Sequence, residues 1–123
     1  MSGQARVLGK RVLLVEDDPA ARESVGLLLR IDRHQVTEAK AGREAIELVK
    51  QQPFDLVVVD YFMPEMQGSQ LALSIRAIAP SVPILMITAY LEKLGDADKP
   101  VDAVLGKPFG VEDLRQAIAS LVS

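Results

Sequence analysis

The fold of this chain is best predicted from the stretch Val12-Leu13-Leu14-Val15-Glu16-Asp17-Asp18-Pro19. Its four consecutive apolar residues, 12–15, need cover on both faces, which is typical of a strand inside a parallel sheet. Two acids follow the run, and Asp18 and Pro19 then form a start signal for a helix, with Asp18 as the N-cap. The stretch therefore predicts a strand, a short acidic loop and a helix.

Similar apolar runs recur along the chain. Residues 56–59 (Leu-Val-Val-Val) and 84–87 (Ile-Leu-Met-Ile) are continuously apolar, and a weaker run covers 101–105. The stretch 35–39 carries Val36 among polar residues, which suits a strand at the edge of a sheet. Five strands are expected in all.

Segments of helical period separate most of these strands. The expected inward stripes are Ala21, Val25, Leu28 and Leu29 in the first helix, Ala45, Leu48 and Val49 in a second over about 42–51, Leu71, Ile75 and Ile78 in a third over about 69–79, and Leu114, Ala117, Ile118 and Leu121 in the last. Residues 89–100 occupy the place of one more helix, but Gly95 and Pro100 limit it to a short or irregular element.

The order of these elements predicts an α/β fold. Right-handed crossovers between successive strands give a doubly wound, five-stranded parallel sheet with helices on both faces. The two most apolar strands, the first and the third, should lie side by side in the centre, and the polar second strand should lie at an edge. This is the flavodoxin-like order 2-1-3-4-5.

Length and composition bound the function. The chain has 123 residues, no cysteine and a net charge of −3, so we expect one domain over 11–123 after a flexible tail over 1–10, with no disulfide, thiolate metal site or cysteine nucleophile. The acidity gives no basic face for nucleic acid, and no apolar run approaches the ~20 residues of a membrane span. Without a signal peptide, a cytoplasmic location is expected.

His34, the single histidine, lies in a polar loop and is expected to be exposed, so histidine-based catalysis is not expected.

Polar residues follow four of the strands. Glu16 and Asp17 follow the first, Asp60 the third, Thr88 the fourth and Lys107 the fifth. In such a sheet the carboxyl ends of the strands form the ligand site, so these side chains should converge. Three acids at close range repel one another, and oxygen ligands without His or Cys suit a hard cation, Mg²⁺ in particular. A phosphoryl group would supply further oxygens for the metal, Lys107 and Thr88 to hold.

Four motifs give the chain a family resemblance. They are residues 12–19, residues 59–64 (Val-Asp-Tyr-Phe-Met-Pro) with Gly68 after them, residues 87–89 (Ile-Thr-Ala) and residues 106–109 (Gly-Lys-Pro-Phe). Over residues 11–122 the chain resembles the receiver domain of two-component response regulators, the CheY-like family.

The resemblance implies a role for each acid. Asp60 resembles the aspartate that takes a phosphoryl group from the phosphohistidine of a sensor histidine kinase or a phosphotransfer domain. Glu16 and Asp17 resemble the acid pair that holds Mg²⁺ together with Asp60 and a backbone carbonyl two residues further on, here that of Phe62.

The resemblance also assigns the remaining polar residues. Thr88 resembles the hydroxyl residue that moves to a phosphoryl oxygen, and Lys107 the lysine that pairs with the phosphoryl group, with a cis bond to Pro108. The implied protein is a signalling phosphoacceptor, not an enzyme, that catalyses only its own phosphorylation and dephosphorylation. It passes the signal by conformational change to an unknown downstream protein, with no direct contact to nucleic acid.

The sequence departs from the family pattern in three places. Val104 stands where the family usually has a rotating Tyr or Phe, and the segment 89–100 is shorter than usual. Signalling is therefore expected to run mainly through 89–100. Phe62 and Tyr90 place two aromatic rings beside the site, where they are expected to shield the phosphoryl group from water and slow its loss. The alternative is that both rings point outward to bind a partner, which would leave the path of the water open.

The sequence argues against two other function classes. A phosphatase of the haloacid dehalogenase type needs an acid two residues after its nucleophile, where this chain has Phe62. A receiver-like module that binds a partner without phosphate is the other, and the full set Asp17, Asp60, Thr88 and Lys107 argues against it. Both a stand-alone regulator and a domain of a hybrid kinase or larger regulator fit the sequence.

Overall fold

The computed structural model describes residues 7–61, 63, 66–89 and 100–122, and these form one sheet flanked by helices. In chain order the elements are β1 (Arg11–Val15), α1 (Pro19–Ile31), β2 (Gln35–Ala39), α2 (Gly42–Gln51), β3 (Leu56–Asp60), α3 (Gly68–Ile78), β4 (Ile84–Thr88), β5 (Ala103–Gly106) and α4 (Val111–Leu121). None of the helices within these ranges is long and apolar enough to cross a membrane.

All neighbouring strands pair in parallel. Their order is β2-β1-β3-β4-β5, which confirms the order expected from the sequence. The most apolar strands are central and their apolar residues are buried, while the polar β2 lies at an edge. The carboxyl ends of the strands therefore meet along one edge of the sheet.

Successive side chains of each central strand point to opposite faces, so the domain has two apolar cores. One core packs α2 and α3 against Leu13, Val57 and Met86, and the other packs α1 and α4 against Leu14, Val58 and Leu85. This double cover explains why the central strands are apolar without alternation.

Two side chains differ in exposure from what the sequence predicts. Ile78 was expected to face inward but is 37% exposed, because it is the last residue of α3 and no further turn covers it. His34 was expected to be exposed but is only 5% exposed. Its Nδ1 accepts a hydrogen bond from the backbone N–H of Lys10 at 3.0 Å, and burial lowers its pKa.

The chain before β1 lies against the domain where it is described. The N–H of Gly9 donates to the carbonyl of Asp32 at 3.1 Å, and Val7 packs against the core under α1 and α4. The tail expected over 1–10 and the domain expected over 11–123 stay predictions. The short or irregular element expected over 89–100 also stays a prediction, since residues 90–99 lie outside the described part of the chain.

Candidate functional site

The sheet brings the five polar residues singled out in the sequence to one edge. Glu16 and Asp17 follow β1, Asp60 ends β3, Thr88 ends β4, and Lys107 follows β5. The register keeps these ends level, since Asp60 pairs with residue 87 of β4 and Thr88 with residue 106 of β5. Residues far apart in the chain thus share one site because each ends a parallel strand.

The acids form a tight cluster. One carboxylate oxygen from each of Glu16, Asp17 and Asp60 lies within 4.8 Å of the other two. Glu16 is buried and the other two are half-buried. Three carboxylates so close cannot all be ionised without mutual repulsion.

Lys107 is the cation beside this cluster. Its Nζ lies 3.4 Å from Oε1 of Glu16 and 3.7 Å from Oδ2 of Asp60. One ammonium thus faces two carboxylates and offsets part of the negative charge. The cluster remains acidic overall.

The pKa of Glu16 reflects its burial and its charged neighbours. Burial raises the pKa of its carboxyl to about 7, and the hydrogen bond to Asp60 and the charge of Asp60 add to the rise. The backbone N–H of Asp18, 3.2 Å from Oε2 of Glu16, and the Lys107 ammonium act in the opposite direction. Without a further cation, the site holds a proton more tightly than separate carboxyls would.

The donor set fits a magnesium ion. Every side-chain ligand that the cluster offers is a carboxylate oxygen, and hard divalent cations prefer such ligands. A cation among the acids would also replace the proton that burial and the neighbouring Asp60 favour on Glu16. Phe62, whose carbonyl is the expected further ligand, lies outside the described residues.

Thr88 and Lys107 are joined through the backbone. The N–H of Lys107 donates to the carbonyl of Thr88 at 2.7 Å, which continues the β4–β5 pairing into the site. The Thr88 side chain is fully buried. The Lys107–Pro108 peptide bond is cis, as the family resemblance implied.

Gly68 lets the loop after β3 close tightly. Its N–H donates to the carbonyl of Tyr61 at 2.8 Å, and the N–H of Tyr61 donates to the carbonyl of Ile87 at 2.9 Å. A Cβ on Gly68 would lie 2.6 Å from the carbonyl oxygen of Asp60 and 2.9 Å from Cα of Tyr61. Since both are backbone atoms, a side chain here would displace the loop that carries Asp60.

The loop after β1 is held from α1. Asp18 caps the helix as expected, with its Oδ2 accepting from the N–H of Ala21 at 2.9 Å. Arg22, which was not predicted from the sequence as part of the site, donates from Nη1 to the carbonyls of Glu16 and Asp17. The available signal was an arginine one turn into the helix that follows the acid pair, from where its side chain can reach back to the loop.

The departures from the family pattern are only partly described. Val104 lies in β5 opposite Met86 of β4 and is half-buried against the core under α2 and α3. Phe62 and Tyr90, the expected shield of the site, lie outside the described residues. The expected slow loss of phosphate stays a prediction, as does signalling through 89–100.

Comparison with known protein families gives a match that covers most of the chain. The family model described as the response regulator receiver domain matches residues 12–119. Among curated proteins, the response regulator receiver protein CpdR of Brucella abortus is 37% identical over 116 residues, which are 92% of this chain and 97% of CpdR. The response regulator MprA of Mycolicibacterium vanbaalenii is 35% identical over 115 residues, 91% of this chain. Those residues span about half (50%) of MprA.

A solved structure shares the fold of this chain. The response regulator protein TrrA of Thermotoga maritima, in complex with Mg²⁺-BeF, has a TM-score of 0.86 and 29% sequence identity. The match covers 92% of this chain and 99% of that protein. This similarity agrees with the parallel sheet described above.

Proposed function

The chain belongs to the response regulator receiver domain family, and on that basis we propose that Asp60 accepts a phosphoryl group from the phosphohistidine of a sensor histidine kinase or phosphotransfer domain. The observation that carries the proposal is the convergence at one sheet edge of Asp60, a cluster of metal-binding acids and the Lys107 ammonium. The phosphorylated state would then be passed to a downstream protein by conformational change.

Glu16, Asp17 and Asp60 are proposed to hold the metal, with the carbonyl of Phe62 as the fourth protein ligand. The relative TrrA is in complex with Mg²⁺-BeF, which supports magnesium as the ion. When bound, Mg²⁺ supplies positive charge that offsets the charge of the phosphoryl oxygens. The Asp60 carboxylate is then free to act as a nucleophile, because the repulsion from Glu16 and Asp17 is compensated.

The transfer itself needs little covalent chemistry from the protein. A carboxylate oxygen of Asp60 forms a bond to phosphorus while the bond from phosphorus to the donor's imidazole nitrogen breaks, and that nitrogen keeps the electron pair. In the acyl phosphate that results, Lys107 pairs with a phosphoryl oxygen. The Thr88 hydroxyl moves to a second phosphoryl oxygen, and that movement starts the signal.

These roles define a signalling domain that acts only on its own aspartate. The domain is proposed to catalyse only its own phosphorylation and dephosphorylation. The cytoplasmic location expected from the sequence stays a prediction.

Beryllofluoride, a stable mimic of the phosphoryl group, tests the site without a kinase. With Mg²⁺ and beryllofluoride together, the amide NMR signals of Asp60, Thr88 and Lys107 should shift to one new set. Neither reagent alone should give this set, and Asp60→Asn should abolish it. An identical shift in the Asp60→Asn variant would rule out Asp60 as the acceptor.

A further inference from the structure

Arg22 holds the loop that carries the acid pair. It is the fourth residue of α1, and its side chain is 12% exposed. Its Nη1 donates to the carbonyl oxygen of Glu16 at 2.9 Å and to that of Asp17 at 3.3 Å. One guanidinium thus binds the backbone of both residues whose carboxylates face the metal site.

Glu38 orients this guanidinium. Its Oε1 lies 3.5 Å from Nε of Arg22, and its Oε2 lies 3.1 Å from Nη2 of Arg30, two turns further along α1. Between the two arginines stands Gly26, where a Cβ would lie 3.4 Å from Oε2 of Glu38. The nearer neighbour of that Cβ would be Nη1 of Arg30 at 2.8 Å, so the missing side chain at position 26 mainly leaves room for the Arg30 guanidinium that pairs with Glu38.

The same region of β2 also holds the end of β1. The carbonyl of Ala39, next to Glu38, accepts the N–H of Glu16 at 3.0 Å. The backbone of Glu16 is therefore fixed on its N–H side by β2 and on its carbonyl side by Arg22. A planar guanidinium suits this task because its N–H donors are held in a rigid fork, so little freedom is lost when they bind.

We propose that Arg22 is a positioning residue for the magnesium site, with Glu38 setting its orientation. The proposal rests on the proposed function, since it assumes that Glu16 and Asp17 bind the ion. Residues that orient metal ligands typically change affinity by about 10- to 100-fold when replaced. Charge alone predicts the opposite sign, because removal of a cation near a dication site would strengthen binding.

The experiment compares Arg22→Met with Arg30→Met by calorimetric titration with Mg²⁺. Both changes remove one arginine of α1 that pairs with Glu38, but only Arg22 contacts the loop of the acid pair. Arg22→Met should weaken Mg²⁺ binding about tenfold, as expected for loss of an orienting contact. Arg30→Met should leave the dissociation constant within about twofold of wild type, because its ion pair lies at the surface.

Spectra of the metal-free protein give a readout that does not depend on the ion. The amide signals of residues 16–18 should shift in Arg22→Met and stay in place in Arg30→Met. Equal or tighter Mg²⁺ binding by Arg22→Met would overturn the proposal, and so would unchanged signals of residues 16–18. A wild-type protein that binds no Mg²⁺ would instead contradict the proposed function.

If Arg22→Met does not fold, Arg22→Lys tests whether Arg22 positions the magnesium site. A lysine offers one ammonium and cannot keep both carbonyl contacts together with the contact to Glu38. Its Mg²⁺ affinity should lie between those of wild type and a variant with no contact, about threefold below wild type. Wild-type affinity in Arg22→Lys would overturn the proposal.

Discussion

The Nζ atom of Lys107 lies 3.7 Å from Oδ2 of Asp60, so a cation from the loop after β5 reaches across β4 to the end of β3. The same ammonium lies 3.4 Å from Glu16 at the end of β1. Lys107 therefore pairs with acids from two strands and offsets part of their negative charge.

Lys107→Met should destabilise the metal-free protein. Loss of the ammonium leaves Glu16 and Asp60 without the ion pairs that Lys107 makes, and we expect the free energy of unfolding at pH 8 to fall by about 1–2 kcal/mol. At pH 5 the loss should be smaller, since Glu16 is then protonated. Urea unfolding at both pH values measures the effect. Lys50→Met, which breaks an exposed pair with Glu47, is the control and should cost less than about 0.5 kcal/mol. Equal losses in the two variants would contradict the account.

Asp60→Asn should have the opposite effect. It removes one of three crowded charges, and the metal-free protein should gain about 1 kcal/mol of stability. Asp55→Asn is the matched control, because hydrogen bonds from the Arg11 side chain lower the pKa of Asp55 to about 2. That substitution should lose about 1 kcal/mol at pH 7, since the pair is partly exposed. The result to look for is opposite signs in thermal melts without Mg²⁺; a loss in both would show that Asp60 is not under repulsion.

Glu16 should make the metal-free protein less stable as the pH rises. Its pKa is about 7 in the folded protein against an ordinary value of 4.5, so between these values the folded state keeps a proton that the unfolded state has lost. The free energy of unfolding should therefore fall through this window, by roughly 3 kcal/mol, and level off above pH 7. Saturating Mg²⁺ should remove the fall, because the metal binds the ionised carboxylate.

The contribution of Glu16 is measured as the difference between wild type and Glu16→Gln in unfolding experiments from pH 4.5 to 8. The comparison is needed because His34 acts in the opposite direction. Burial lowers the pKa of His34, so its contribution to stability rises with pH in the same range. If the two proteins show parallel pH profiles, Glu16 does not carry the raised pKa.

Gly68→Ala should disturb the loop that carries Asp60. The new Cβ would meet backbone atoms at 2.6 and 2.9 Å, which cannot move without displacing the loop. We expect a loss of about 2–3 kcal/mol and slower phosphorylation. Gly42→Ala is the matched control, since Gly42 also begins a helix but its Cβ would meet the flexible Met66 side chain. That change should cost less than about 1 kcal/mol, and a similar cost at both sites would contradict the close-approach explanation.

Much of this arrangement can be predicted from the sequence because it depends on local patterns. The runs at 12–15, 56–59 and 84–87 need two-sided cover, which selects a parallel sheet, and topology then brings Glu16, Asp60 and Lys107 together. The roles of these residues came from the family resemblance, and they remain proposals.

The rest depends on contacts between distant segments. His34 is buried where the N–H of Lys10 donates to its Nδ1, a contact that no local pattern assigns to that position. The Arg22–Glu38 pair depends on how α1 lies on β2, and the raised pKa of Glu16 depends on its burial and on its contact with Asp60. A local pattern shows which side chains can take part but not how far apart they lie.

Mass spectrometry after incubation with acetyl phosphate and Mg²⁺ tests the central claim most directly. The account predicts that the protein gains the mass of one phosphoryl group, that fragmentation places it on Asp60, and that Asp60→Asn gains none. A wild-type protein that folds and binds Mg²⁺ but gains no mass, or that carries the group on another residue, would contradict the assignment of Asp60 as the phosphoacceptor.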